Sequence, residues 1–199
     1  MSIILKLSRI RVKRYSMIPV PISPQTRIAS ITVNKIEAGH FRHFAREKWP
    51  DIEMFRPQIL IGDMADLEKL ASLSEMGALD TSSVDTAVLV ATGWNAAPMT
   101  DVQRVVLWQA FAVPVYELLV SPKGYLMASE CEAHIGWHLE SRVSVSRART
   151  GLTLQVRQGR ERLGTDARIA SAVCACGRRA PRIIREHQPH LVRVLAATA

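Results

Sequence analysis

Between Ile59 and Val120 the chain alternates short apolar runs with longer stretches of helical periodicity, and this order restricts the fold more than any other feature. Ile59-Leu60-Ile61-Gly62 reads as a buried strand, and Met64, Leu67, Leu70, Ala71 and Met76 then recur at helical spacing. Thr86 to Ala91 is a second buried-strand pattern. Thr100 to Phe111 reads as a helix whose apolar stripe is Val102, Val105, Val106 and Ala110, and Thr100-Asp101-Val102-Gln103 fits a capping box at its start. Val113 to Val120 is a third strand. Strand, helix, strand, helix, strand implies a parallel sheet with right-handed crossovers, because parallel neighbours need a long connection. The expected fold class is α/β, with a parallel βαβαβ core followed by a short-stranded, loop-rich β region.

This topology gathers the loops beginning near Asp63, Gly93 and Val120 at one edge of the sheet, where open α/β sheets bind ligands. In the loop Thr92 to Pro98, the small residues of Asn95-Ala96-Ala97-Pro98 leave room for a flat ligand against the backbone. The N-terminus of the following helix is suited to an anion. The same loop is also an ordinary crossover connection, so it does not specify a ligand by itself. After Val120, Gly124 to Ser129, Arg142 to Ser146 and Leu152 to Val156 read as short β segments. Arg147 to Arg168 is poor in large apolar residues and is expected to be partly mobile. The expected organisation is a basic, proline-containing extended arm over 1–25, an α/β core over 26–125 and an arginine-rich β region over 126–199.

Three cysteines occur, an odd number that excludes a complete disulfide framework and favours reduced thiols or a metal in a cytoplasmic protein. They fall in two clusters, Glu130-Cys131-Glu132-Ala133-His134-Ile135-Gly136-Trp137-His138 and Cys174-Ala175-Cys176-Gly177-Arg178. Three thiols and one imidazole make a closed structural zinc set. The candidate ligands are Cys131, Cys174, Cys176 and His138, with His134 in reserve. Cys174 and Cys176 can converge on one face of a strand or within a turn that Gly177 permits. A redox role for Cys174 and Cys176, their thiols acidified by Arg178 and Arg179, is the competing chemistry, and three unlinked thiols are the plain one.

Charge is unevenly spread. Residues 1–50 hold ten basic and two acidic residues, residues 51–140 four and thirteen, and residues 141–199 twelve and three. A basic C-terminal part suits a nucleic acid, a phosphorylated ligand or merely a solvated face. No Phe, Trp or Tyr follows Trp137, which argues against base stacking and so against nucleic acid. No run is apolar enough for a membrane helix, and the first 15 residues lack the pattern of a signal peptide.

Read together, these stretches resemble phenylacetate-CoA ligase and its relatives among the adenylate-forming enzymes. Glu130-Cys131-Glu132 with Gly136-Trp137-His138 is similar to that family's Glu-Cys-Glu and Gly-x-His segment. Cys174-Ala175-Cys176-Gly177-Arg178 with Pro181-Arg182 resembles its Cys-x-Cys-Gly-Arg stretch. Asn95 to Pro98 sits where the family has a Gly-Ala-Glu-Pro-like adenine loop, and Thr165-Asp166 resembles its Thr-Gly-Asp, whose aspartate binds the nucleotide ribose. The likeness spans about residues 55–185. It implies part of an adenylate-forming large domain and ATP-dependent activation of a carboxylic acid with transfer to coenzyme A. It also implies an ATP/AMP site that includes Asp166, and zinc at the Cys and His positions, which some family members hold.

The departures from that pattern bear on activity. No Ser/Thr/Gly-rich phosphate loop is found, Leu118 to Lys123 replaces a Tyr-Gly-x-x-Glu-type motif, and Ala97 stands for the glutamate of the adenine loop. The last lysine is Lys123, with 22 residues after Gly177, so the mobile lid and its lysine are expected to be missing. Each such electrostatic contact is worth on the order of 3 kcal/mol, or about a hundredfold in rate. The resulting expectation is a partial or degenerate ligase-like protein that does not complete the reaction alone. The alternative is a non-catalytic, zinc-stabilised module that binds a nucleotide or a partner chain, whether a second copy or a complementary chain.

Overall fold

The computed structural model describes residues 19–20, 22–32, 41–94, 96–148, 151–156, 161–165, 167–179 and 181–184. Most of the basic arm, together with Asn95 and Asp166, lies outside them. Five strands pair in parallel: β1 (Ile28–Ser30), β2 (Phe41–His43), β3 (Ile59–Gly62), β4 (Ala87–Gly93) and β5 (Val115–Val120), in the order β2-β1-β3-β4-β5. The chain continues through β6 (Leu126–Ser129), β7 (Trp137–Leu139), β8 (Val143–Ala148), β9 (Gly151–Val156), β10 (Glu161–Thr165), β11 (Arg168–Ala170) and β12 (Arg182–Ile184). Of these, β6, β7, β12 and β11 extend the same sheet beyond β5 in that order, each pair antiparallel. The sheet therefore runs through residue 125 and changes there from parallel to antiparallel pairing. The remaining strands, β8 to β10, form a separate antiparallel sheet.

The expected βαβαβ unit is β3, α2, β4, α3 and β5, with α2 over Met64–Glu75 and α3 over Asp101–Phe111. A short α1 (Asp51–Phe55) precedes it. All three helices cover one face of the sheet: Ile52, Leu67, Leu70, Leu107 and Phe111 pack with Leu60, Val88, Val90 and Val115. The other face buries Ile28, Ile59, Ile61, Leu89, Tyr116 and Leu118, with Val20 and Ile22 against it. Cover on both faces explains why β3 and β5 are buried at every position and, Glu117 apart, read as apolar runs. A third cluster joins Trp94 and Leu119 to Met127, Trp137, Val143, Leu154 and Ile183, tying the small sheet to the antiparallel half of the large one.

The buried face of α3 corrects an expectation. The stripe Val102, Val105, Val106 is not the buried face of α3: these residues are 74%, 50% and 40% exposed, whereas Leu107 is fully buried and Phe111 nearly so. Both sets obey helical spacing, and the larger side chains took the core while Arg104 turned toward β5 and β6. Met76 likewise lies exposed, just past the end of α2. Within Arg147 to Arg168, β9, expected from Leu152 to Val156, pairs antiparallel with β10, a strand the sequence did not suggest. The pattern of Glu161 to Thr165 was too polar to stand out. Leu107→Ala is expected to cost about 2–5 kcal/mol and Val102→Thr less than about 0.5 kcal/mol. Urea unfolding of the two variants checks which face is buried, and equal losses would contradict it.

Candidate functional site

Cys131 follows β6, His138 is the middle residue of β7, and Cys174 and Cys176 lie between β11 and β12. Antiparallel pairing of β7 with β12 sets Arg182 opposite His138 and so brings these distant stretches together. Cys174 and Cys176 converge through a turn rather than along a strand: the Gly177 N–H donates to the Cys174 carbonyl at 2.8 Å, and the Cys174 N–H to the Arg178 carbonyl at 3.1 Å. The ligand atoms of Cys131, His138, Cys174 and Cys176 all lie within 4.8 Å of one another. Cys131 and Cys174 Sγ are 3.8 Å apart, and Cys176 Sγ is 3.4 Å from His138 Nε2.

These spacings fit a tetrahedral ion. With zinc bonds of about 2.3 Å to sulfur and 2.0–2.1 Å to nitrogen, the tetrahedral edges are about 3.8 Å between sulfurs and about 3.5 Å between sulfur and nitrogen. Burial pushes the Cys131 thiol up to about 12. Cys174 is lowered, chiefly by the Cys176 backbone N–H, against the opposing effect of burial. Four protein donors leave no open position for substrate, so the chemistry available here is structural. His134, the reserve ligand, is engaged elsewhere: its Nδ1 is 3.0 Å from Glu130 Oε1 and its ring stacks on Tyr116 at 5.6 Å.

At the sheet edge, β4 runs into a turn in which the Ala96 N–H donates to the Gly93 carbonyl at 3.0 Å. Ala96 and Ala97 are exposed and Pro98 half-buried, while Asn95 is not among the described residues. The N-terminus of α3 carries the expected capping box. Thr100 Oγ1 accepts from the Gln103 N–H at 3.3 Å, and Gln103 Oε1 accepts from the Thr100 N–H at 3.0 Å. Two donors of that helix end are thereby already engaged. Among the described residues no helix is long and apolar enough to cross a membrane.

Sequence reasoning missed a buried polar network beside this loop. Glu117, in the middle of β5, accepts from the Thr92 hydroxyl and from the Met99 N–H at 3.1 Å. Its own N–H donates to Glu130 Oε2 at 2.9 Å, and Arg104 Nη2 reaches both Glu130 oxygens at 2.9 and 3.1 Å. Burial raises the Glu117 carboxyl above its ordinary range, against the lowering effect of these hydrogen bonds. The available signal was a carboxylate inside the otherwise apolar run Val115-Tyr116-Glu117-Leu118-Leu119-Val120. A groove lined by Glu53, Ser74, Asp80, Thr81, Val84 and Phe111 lies at the opposite edge, where α2 and α3 end.

No family model and no curated protein matches this chain. Solved structures do. A 2-hydroxyisobutyryl-CoA ligase in complex with 2-HIB-AMP and CoA is similar at a TM-score of 0.62 and 12% identity, over 83% of this chain and 43% of that one. The anthranilate CoA ligase AuaEII, in complex with anthranoyl-AMP, is similar at a TM-score of 0.53 and 12% identity, over 86% and 41%. Coronafacic acid ligase from Pectobacterium brasiliense is similar at 0.51 and 9%, over 85% and 41%. The chain thus spans less than half the length of these ligases. Across that span, its mixed α/β architecture with one large, mainly parallel sheet has the fold of the adenylate-forming CoA ligases.

Proposed function

We propose that this chain is a nucleotide-edge portion of a phenylacetate-CoA ligase-like protein, one that adenylates a carboxylic acid and passes it to coenzyme A. The observation that carries this reading is the shared fold with ligases solved bearing acyl-AMP and CoA; the Thr92 to Pro98 loop follows β4 at the carboxyl edge of the parallel strands. In this reading Asn95, Ala96, Ala97 and Pro98 flank the adenine and Asp166 takes the ribose. Cys131, His138, Cys174 and Cys176 hold a structural zinc ion that staples β6, β7 and β12. The donor chemistry and the near-tetrahedral spacing support that metal.

These 199 residues include no Ser/Thr/Gly-rich phosphate loop and no lysine after Lys123. Positioning and charge stabilisation on the transferring phosphate therefore lack their main contributors. Calorimetry is expected to register binding of AMP or ATP, and pyrophosphate exchange with the purified chain to stay at background for any carboxylic acid. Exchange above background would overturn the incomplete-reaction reading. Absence of binding by AMP, ATP and coenzyme A would favour a partner-binding module instead.

A further inference from the structure

The loop between β4 and α3 is held at both ends by one side chain. Thr92 stands at its start and Met99 at its end, seven positions along the chain, and both donate to Glu117 Oε1. Glu117 is 2% exposed and lies on the helix-covered face of β5, alternating with Tyr116 and Leu118, which face the other way. Its register partner on β4 is Val90, two positions before Thr92 and on the same face. Between the two tethered ends, Trp94 is 7% exposed and packs in the cluster containing Leu119 and Met127. Ala96 and Ala97, between these anchors, remain exposed.

A buried carboxylate is costly unless its acceptors are filled. A Leu would pack into an apolar strand at lower desolvation cost, so the polar side chain at this position is explained by what it holds. The arrangement is braced from behind, since the Glu117 N–H is bonded to Glu130, which Arg104 of α3 also grips. The first residues of α3 and the end of β4 are thereby referred to one strand.

We infer that Glu117 is a positioning residue: by accepting from Thr92 and Met99 it fixes both ends of the connection from β4 to α3 and so presents the exposed Ala96 and Ala97 to an adenine nucleotide. This rests on the proposed nucleotide site, but the geometric part stands apart from it and is tested separately. The experiment compares Glu117→Ala, Glu117→Gln and Thr92→Val in the full chain, using amide hydrogen exchange, Trp94 emission and titration with AMP.

The expected result for Glu117→Ala is about five- to tenfold faster exchange at Met99, with β3 and β4 amides unchanged, since one buried hydrogen bond is lost. Trp94 emission should shift to the red, and AMP should bind about tenfold more weakly. Glu117→Gln keeps the accepting oxygen and should restore all three readouts. Unchanged Met99 exchange in Glu117→Ala, or a Gln variant as impaired as the Ala variant, would overturn the inference. Should Glu117→Ala fail to fold, Thr92→Val decides it. An altered Trp94 emission supports the clamp and an unaltered one refutes it. If the unmodified chain does not bind AMP, the nucleotide reading fails, while the exchange data still report on the clamp.

Discussion

Purified protein is expected to carry one zinc ion per chain, and stripping it with a chelator is expected to lower the melting temperature by roughly 8–16 °C. The figure follows from two relations. A metal present at a thousand times its dissociation constant stabilises the folded state by about 4 kcal/mol, and in a domain of this size each kcal/mol moves the midpoint by about 2–4 °C. The effect is large because the four donors come from stretches distant in sequence, with 43 positions separating Cys131 from Cys174. Cys174→Ser with Cys176→Ser should remove both the metal and the chelator response. Proton release supplies a second readout. The metal-free Cys131 thiol, pushed up to about 12 by burial, must lose its proton when zinc binds. Affinity therefore rises with pH, and acidification expels the ion. Metal-free protein that melts at the same temperature with and without added zinc would remove the site.

Gly136→Ala is expected to destabilise the protein by more than about 3 kcal/mol, against about 1–2 kcal/mol for Gly77→Ala. Both glycines occupy the left-handed region, at φ +82° and +69°, so each alanine bears the same backbone penalty. They differ in surroundings. A Cβ at Gly136 would stand 2.3 Å from the Ile183 carbonyl oxygen, whereas one at Gly77 meets nothing within 4 Å. Relieving the contact at Gly136 means displacing β12 from β7, which separates Ile183 from Trp137 and moves the strand that aligns with His138. Denaturant unfolding of the two variants measures the difference, and zinc content should fall only for Gly136→Ala. Equal destabilisation would show that the close approach of the loop and β12 carries no energy of its own.

Much of the core was legible because its signals are local. The apolar runs of β3, β4 and β5, the periodicity of α2 and the capping box of α3 depend on neighbours within a few residues, and each appears where the pattern put it. The buried face of α3 was not legible, because Val102-Val105-Val106 and Leu107-Phe111 satisfy the same 3.6-residue spacing. Only contact with the sheet and the pull of Glu130 on Arg104 choose between them. The β10 hairpin was hidden for a related reason: its partner, rather than its own composition, makes Glu161 to Thr165 a strand.

The sequence by itself determined the α/β class, the order of the parallel unit and the residue types able to hold a metal, since these are written in spacing and side-chain chemistry. Tertiary structure decided the rest. Pairing of β7 with β12 brings Cys131, His138, Cys174 and Cys176 within 4.8 Å, and the packing of α3 on β5 turns Glu117 from an anomaly in an apolar strand into the acceptor for both ends of a loop. Hydrogen bonds and ligand sets between residues tens of positions apart have no periodicity to announce them, and they exist only once the strands have chosen their partners.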